Sequence, residues 1–136
     1  MGITYTISRE QRLIRALATG IIRAEDLHGL INSLLGDANL TPGIRGLYDS
    51  RLAEPDVTVL QLAEIAVEVK KLLDRGLGRV ALVAQSQTTY RVEKTFSILA
   101  RAVGVDVDVF WELEAAEAWL GLNADTGGVS ENPLMR

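Results

Sequence analysis

Five consecutive apolar residues, Val80-Ala-Leu-Val-Ala84, stand between Arg79 and Gln85, and no other feature narrows the fold so far. A short unbroken run of this kind is the mark of a parallel strand buried on both faces. Such a strand needs cover above and below it. It also needs parallel neighbours reached by crossover connections, which are right-handed and usually helical.

The rest of the chain supplies them. Ile3, Tyr5 and Ile7 alternate with Thr4, Thr6 and Ser8, the period of a strand with one buried face. A second strand is expected from Arg12 to Thr19, with Gly20 ending it. A helix then begins near Ala24, with Glu25 and Asp26 suited to the dipole of its first turn. Leu27, Leu30, Ile31, Leu34 and Leu35 form its apolar stripe, and Gly36 serves as C-cap. After the turn Asn39-Leu-Thr-Pro-Gly43, Ile44 to Tyr48 reads as a short strand ending in Asp49-Ser50-Arg51. Thr58 with Gln61 makes a capping box for a second helix. Its polar residues Gln61, Glu64, Glu68, Lys71 and Arg75 form one narrow stripe, which predicts cover over most of its circumference. Ser86 caps a third helix that turns Val92, Phe96, Leu99 and Val103 inward. Val105, Val107 and Val109 alternate with Asp106 and Asp108, as in an edge strand with one wet face. Leu113, Ala116 and Leu120 form a last short helix closed by Gly121. The order is ββαβαβαβα: an α/β domain over residues 1–121 with a mixed, largely parallel five-stranded sheet and about four helices. Residues 122–136, with two adjacent glycines, a proline and no period, are expected to be a mobile tail.

Composition removes several functions. The chain has 136 residues, no cysteine and a single histidine, His28. Disulfides, zinc ribbons, iron–sulfur clusters and cysteine nucleophiles are thereby excluded. The formal charge is −4, and beyond Gly104 only Arg136 is basic, against Asp106, Asp108, Glu112, Glu114, Glu117, Asp125 and Glu131. A nucleic-acid surface needs a concentrated basic face. Arg91, Lys94 and Arg101 on one helix are an ordinary solvated set, so no nucleic-acid partner is expected. The acids near the C-terminus are spread around a strand and a helix start rather than converging on a cation, so no metal is expected either. Gly76-Leu-Gly78 precedes a strand, whereas a dinucleotide fingerprint follows one, and no phosphate-binding loop occurs. No cofactor is expected. No G-x-S-x-G elbow surrounds Ser50 or Ser86, and His28 lies on the first helix as a half-exposed residue beside the apolar stripe. The chain is accordingly read as not an enzyme. The N-terminus lacks a signal-peptide core and no long apolar span is present, so a cytoplasmic location is expected.

Open α/β sheets gather ligands at the carboxyl ends of their strands. Three segments are expected there: Asp49-Ser50-Arg51, Gln85 to Tyr90, and Phe110-Trp111. Asp49, Ser50, Arg51, Ser86, Tyr90, Phe110 and Trp111 are therefore the candidate ligand-binding residues. They would form a pocket of hydroxyls, one carboxylate and one guanidinium with an aromatic wall. Helix capping by itself also accounts for Ser86, Thr88 and Thr89. Trp119 is read as core.

Arg23-Ala-Glu-Asp-Leu27, Gly46-Leu-Tyr-Asp49, Pro55-Asp-Val-Thr58, Arg79-Val-Ala-Leu-Val-Ala84, Glu112-Leu-Glu-Ala-Ala116 and Ala118-Trp-Leu120 together resemble the SpoIIAA-like family, the small STAS/Sec14-type domain of bacteria. The resemblance spans residues 3 to 121. It implies kinship of fold with anti-sigma-factor antagonists, regulated by phosphorylation of a serine, and with Sec14-type carriers of apolar ligands. Antagonists carry an Asp-Ser-Ser-Gly-like turn leading directly into a helix. Here Asp49-Ser50 is followed by Arg51, and Leu52 to Val57 intervene before Thr58, so a phosphate on Ser50 would lack an amide cradle.

The expectation that follows is a non-catalytic domain binding a small apolar ligand, with a membrane surface as a further partner that the acidic C-terminal part opposes. The alternative is a regulatory module that binds a protein partner. A homodimer is also expected from the apolar excess of the second helix.

Overall fold

A computed structural model of the chain describes residues 2–122. The elements follow the expected order: β1 (Gly2–Ser8), β2 (Leu13–Arg23), α1 (Ala24–Leu35), β3 (Arg45–Asp56), α2 (Val59–Asp74), β4 (Val80–Val83), α3 (Gln87–Ala102), β5 (Val107–Phe110) and α4 (Leu113–Trp119). The five strands lie in sequence order across one sheet. β1 runs antiparallel to β2, and every other pairing is parallel. The expected mobile tail, residues 122–136, lies outside the described residues except for Leu122, which is buried against Leu13 and Leu120.

Even-numbered residues of β4, Val80 and Leu82, face α2 and α3, while Ala81 and Val83 face α4. The unbroken apolar run is thus explained by cover on both sides. The inner face of the sheet carries α1, α2 and α3. Ile14, Ile31, Leu34, Ile44, Ile65 and Leu72 form one end of that core, and Leu82, Ala84, Ala100, Val107 and Val109 the other. On the outer face α4 is the one helix among the described residues. It packs Ala116 and Leu120 on Leu13, Leu47 and Ala81, and is tied down by an ion pair from Arg15 to Glu117 at 3.0 Å.

The caps form where the sequence puts them. Thr58 Oγ1 accepts from the Gln61 amide at 3.1 Å while Gln61 Oε1 accepts from the Thr58 amide at 2.9 Å. Ser86 Oγ accepts from the Thr89 amide at 3.1 Å. The outward acids of the last strand region are paired: Asp106 with Arg79, and Asp108 with Lys94 and Arg101.

Three expectations are corrected. Gly20 does not end the second strand. It takes φ +75° within β2, which continues to Arg23. Nor does the third strand stop at Tyr48: β3 runs through Asp49-Ser50-Arg51 to Asp56, paired with β2 on both sides of Ser50 and Arg51. Between Leu17 and Thr19 of β2 lie three steps of β3, from Asp49 to Leu52, so β3 holds one extra residue. This bulge reverses the phase of the strand beyond it. Leu52 consequently turns to the outer face and Pro55 to the inner one. Finally, α2 is not covered over most of its circumference. Leu62, Ile65, Ala66 and Leu72 are buried, but Val59, Leu60 and Val67 are more than half exposed. The helix has the sheet beneath it and α1 and α3 beside it, with nothing above among the described residues.

Candidate functional site

The inner layer does not close completely. Between the sheet and α1, α2 and α3 lies a cavity of about 150 Å³ whose walls are almost wholly apolar. Ile22 and Pro55 come from the extended halves of β2 and β3. Leu27 and Leu30 come from α1, Leu62 from α2 and Phe96 from α3. The β3 bulge matters here, because it brings Pro55 to the inner face opposite Ile22.

One wall carries a charge-bearing group. Glu93 lies on α3 between Thr89 and Ser97, one turn from each, and all three are buried. Its side chain lines the cavity. Glu93 Oε2 lies 2.5 Å from Ser50 Oγ, and Ser50 Oγ lies 2.8 Å from the carbonyl oxygen of Val83. A serine hydroxyl has a single proton, and a backbone carbonyl has none to give. When Ser50 donates to Val83, the short contact to Glu93 needs a proton from the carboxyl. Glu93 Oε1 is buried without a hydrogen-bond partner.

The electrostatics point the same way. Burial pushes the Glu93 carboxyl up to about 7, and the neighbouring Asp49 charge adds to the rise. A hydrogen bond donated by Ser50 would oppose this by favouring the anion. The geometry allows the reverse donation, which favours the neutral acid. Tyr48, beside Glu93 on β3, is likewise held above the usual phenol range by burial, then by the Glu93 and Asp26 charges.

The residues anticipated from sequence are distributed over several places. Asp49 and Arg51 face each other in a two-pronged pair, Nε to Oδ1 at 3.0 Å and Nη2 to Oδ2 at 2.9 Å. That hydrogen bonding lowers the Asp49 carboxyl below its ordinary range and raises Arg51. Ser50 points inward to Glu93. Tyr90 and Trp111 stack on each other with ring centroids 4.3 Å apart and planes 9° from parallel. Phe110 packs on Trp119 beneath α4. Ser86 caps α3 and, with Arg51, Leu52 and Thr88, borders an open depression of about 430 Å³. These residues therefore do not share one pocket. His28 is half-buried and its Nδ1 meets Glu68 Oε1 at 2.7 Å.

Glu93 is the residue that sequence reasoning passed over. Val92, Phe96, Leu99 and Val103 had marked the inward face of α3, yet these are only partly buried. The fully buried line is Thr89, Glu93, Ser97 and Ala100. The available signal was a glutamate at helical spacing between two small hydroxyl residues and an alanine, on the face where α3 approaches the sheet closely. Among the described residues no group of His, Asp or Glu side chains is placed to hold a metal ion. No helix there is long and apolar enough to cross a membrane.

No family model matches the chain, and no curated protein matches it. Its structure is similar to that of an uncharacterised protein of the DUF3478 family with a SpoIIAA-like fold from Shewanella loihica PV-4. The TM-score is 0.57 at 21% sequence identity, covering 88% of this chain and 94% of that chain. The fold is SpoIIAA-like, as the resemblance in sequence implied.

Proposed function

We propose that this SpoIIAA-like domain is a non-catalytic binding protein that takes a small apolar molecule into the cavity between its sheet and α1, α2 and α3. The observation that carries the reading is the cavity itself: about 150 Å³, walled by aliphatic and aromatic side chains. Apolar cavities of that size accept benzene-sized guests. The ligand site is thus moved inward from the strand ends. Only Ser50 of the anticipated residues touches its wall, through Glu93.

Methyl-detected NMR titration with benzene and toluene tests the reading. Shifts concentrated at Leu27, Leu30, Ile22 and Leu62 are expected. Filling the space by Ala16→Leu should abolish them. Uniform or absent shifts would count against the cavity as a binding site.

A second reading, a regulatory module that binds a protein partner, is supported by the outer face. α4 leaves Leu17, Ile21 and Leu52 exposed there at 41%, 50% and 68%, grouped by the β2–β3 register. Isolated exposed residues are ordinary, but a cluster on one sheet face marks an interaction surface. Burial of Ser50, at 3% exposure, removes its hydroxyl from a kinase in this conformation, so this module would act without a phosphoserine switch. Sedimentation of wild type against Leu52→Lys tests for self-association through this face. Identical monomeric profiles would leave that face to a different protein.

A further inference from the structure

Glu93, one of the residues lining the cavity, has a buried carboxyl oxygen without a hydrogen-bond partner, and its identity restricts what the cavity can hold. We infer that the ligand is a compact apolar molecule bearing one hydroxyl, and that this hydroxyl donates its hydrogen bond to Glu93 Oε1. The inference rests on the cavity reading above and specifies its ligand.

The argument follows the protons. Ser50 Oγ is within bonding distance of both the Val83 carbonyl and Glu93 Oε2. With Ser50 donating to Val83, the carboxyl proton sits on Oε2, and Oε1 is left as a carbonyl-type oxygen that can only accept. Oε1 is buried and has no partner, and Glu93 is one of the residues that line the cavity. A buried acceptor without a donor costs the full desolvation of that group. A hydrocarbon guest leaves the deficit in place. A ketone or ester offers only another acceptor. A carboxylate brings a negative charge toward Glu93 and Asp49 in an apolar enclosure, where charge repulsion is least screened. A hydroxyl supplies the missing proton, and its neighbouring carbons meet the aliphatic walls. The other ionisable groups facing Glu93 are Tyr48 and Asp49 of β3, with Asp26 of α1 acting on Tyr48. None of them is cationic, so nothing in this set favours an anionic guest.

The test uses toluene, benzyl alcohol and benzoate, titrated at pH 6 into wild type and followed by the cavity methyl resonances. Benzyl alcohol is expected to bind about three- to tenfold more tightly than toluene, the range of one net hydrogen bond, and benzoate to bind weakest. Glu93→Leu should erase the preference for the alcohol while toluene still binds. Glu93→Gln keeps an acceptor oxygen and should retain the preference. If Glu93→Leu fails to fold, the wild-type ranking and Glu93→Gln decide the matter. Equal binding of toluene and benzyl alcohol, loss of the preference in Glu93→Gln, or tightest binding of benzoate would overturn the inference while leaving the cavity reading intact. Binding of none of the three would overturn both.

Discussion

Replacing Glu93 by glutamine should remove most of a pH dependence of stability that wild type carries between pH 5 and pH 8. In the folded chain the carboxyl titrates near 7, against 4.5 when unperturbed, because burial disfavours the anion. Over the interval between those values the native state holds a proton that the unfolded state has released. Stability therefore falls as pH rises through it, and levels off above the native value. The stabilisation is complete below 4.5 and gone above about 7. Converted at about 1.4 kcal/mol per tenfold, the full effect is on the order of 3 kcal/mol, with about 2–3 kcal/mol of it between pH 5 and pH 8. Glutamine is neutral at both values, of the same size, and still able to accept at the cavity and donate to Ser50. The assay is urea unfolding followed by far-ultraviolet circular dichroism for both proteins at the two pH values. For a urea slope of about 1–3 kcal/mol per M, the wild-type midpoint should drop by about 1–2 M more than that of the variant. Taking the difference between the proteins removes the contribution of titrating groups that do not interact with Glu93. Parallel pH dependence in wild type and variant would refute the reasoning, because it would mean that Glu93 is solvated or is ionised in the fold.

Two further outcomes are expected. Gly76 has φ +101°, and a Cβ there would stand 2.5 Å from Pro42 Cα, a backbone atom that cannot swing aside. Gly76→Ala should therefore cost about 2 kcal/mol or more, measured by the same urea titration; a loss under about 0.5 kcal/mol would show that the α2–β4 turn rearranges freely. Thr58→Ala removes the side-chain half of the α2 capping box and should cost about 1 kcal/mol, read as a fall of about 2–8 °C in Tm.

Much of the architecture was legible because it rests on local signals. The β4 run, the alternation of β1 and β5, the Thr58–Gln61 box and the Ser86 cap are each settled within a few residues. Strand ends were the exception. Asp49-Ser50-Arg51 reads as the end of a short strand because polar residues follow an apolar run. In the fold β2 lies alongside, and it pairs with Asp49 before the bulge and with Leu52 to Asp56 after it, so the strand carries on through Ser50 and Arg51. Gly20 misled in the same way: a glycine weakens a strand locally, yet it pairs with Ala53 of β3 and that ladder continues to Arg23.

The candidate site was less legible for a related reason. Asp49, Ser50 and Arg51 are adjacent in sequence, and alternation places the first and third outward as a pair and the second inward to Glu93. Glu93 itself looks solvent-facing by residue type, since a lone carboxylate is seldom buried. It is buried because α3 packs closely on β3 and β5 along Thr89, Glu93, Ser97 and Ala100, where only small or hydrogen-bonded side chains fit.

From sequence alone came the α/β class, the element order, the helix caps and the absence of cysteine chemistry. Those depend on period, composition and contacts between near neighbours in the chain. Tertiary structure alone decided the β3 bulge, the uncovered outer patch, the depth of Ser50 and the cavity with its unsatisfied carboxyl oxygen. Each depends on how residues remote in sequence meet, and a residual void is the difference between two large volumes that local patterning does not constrain.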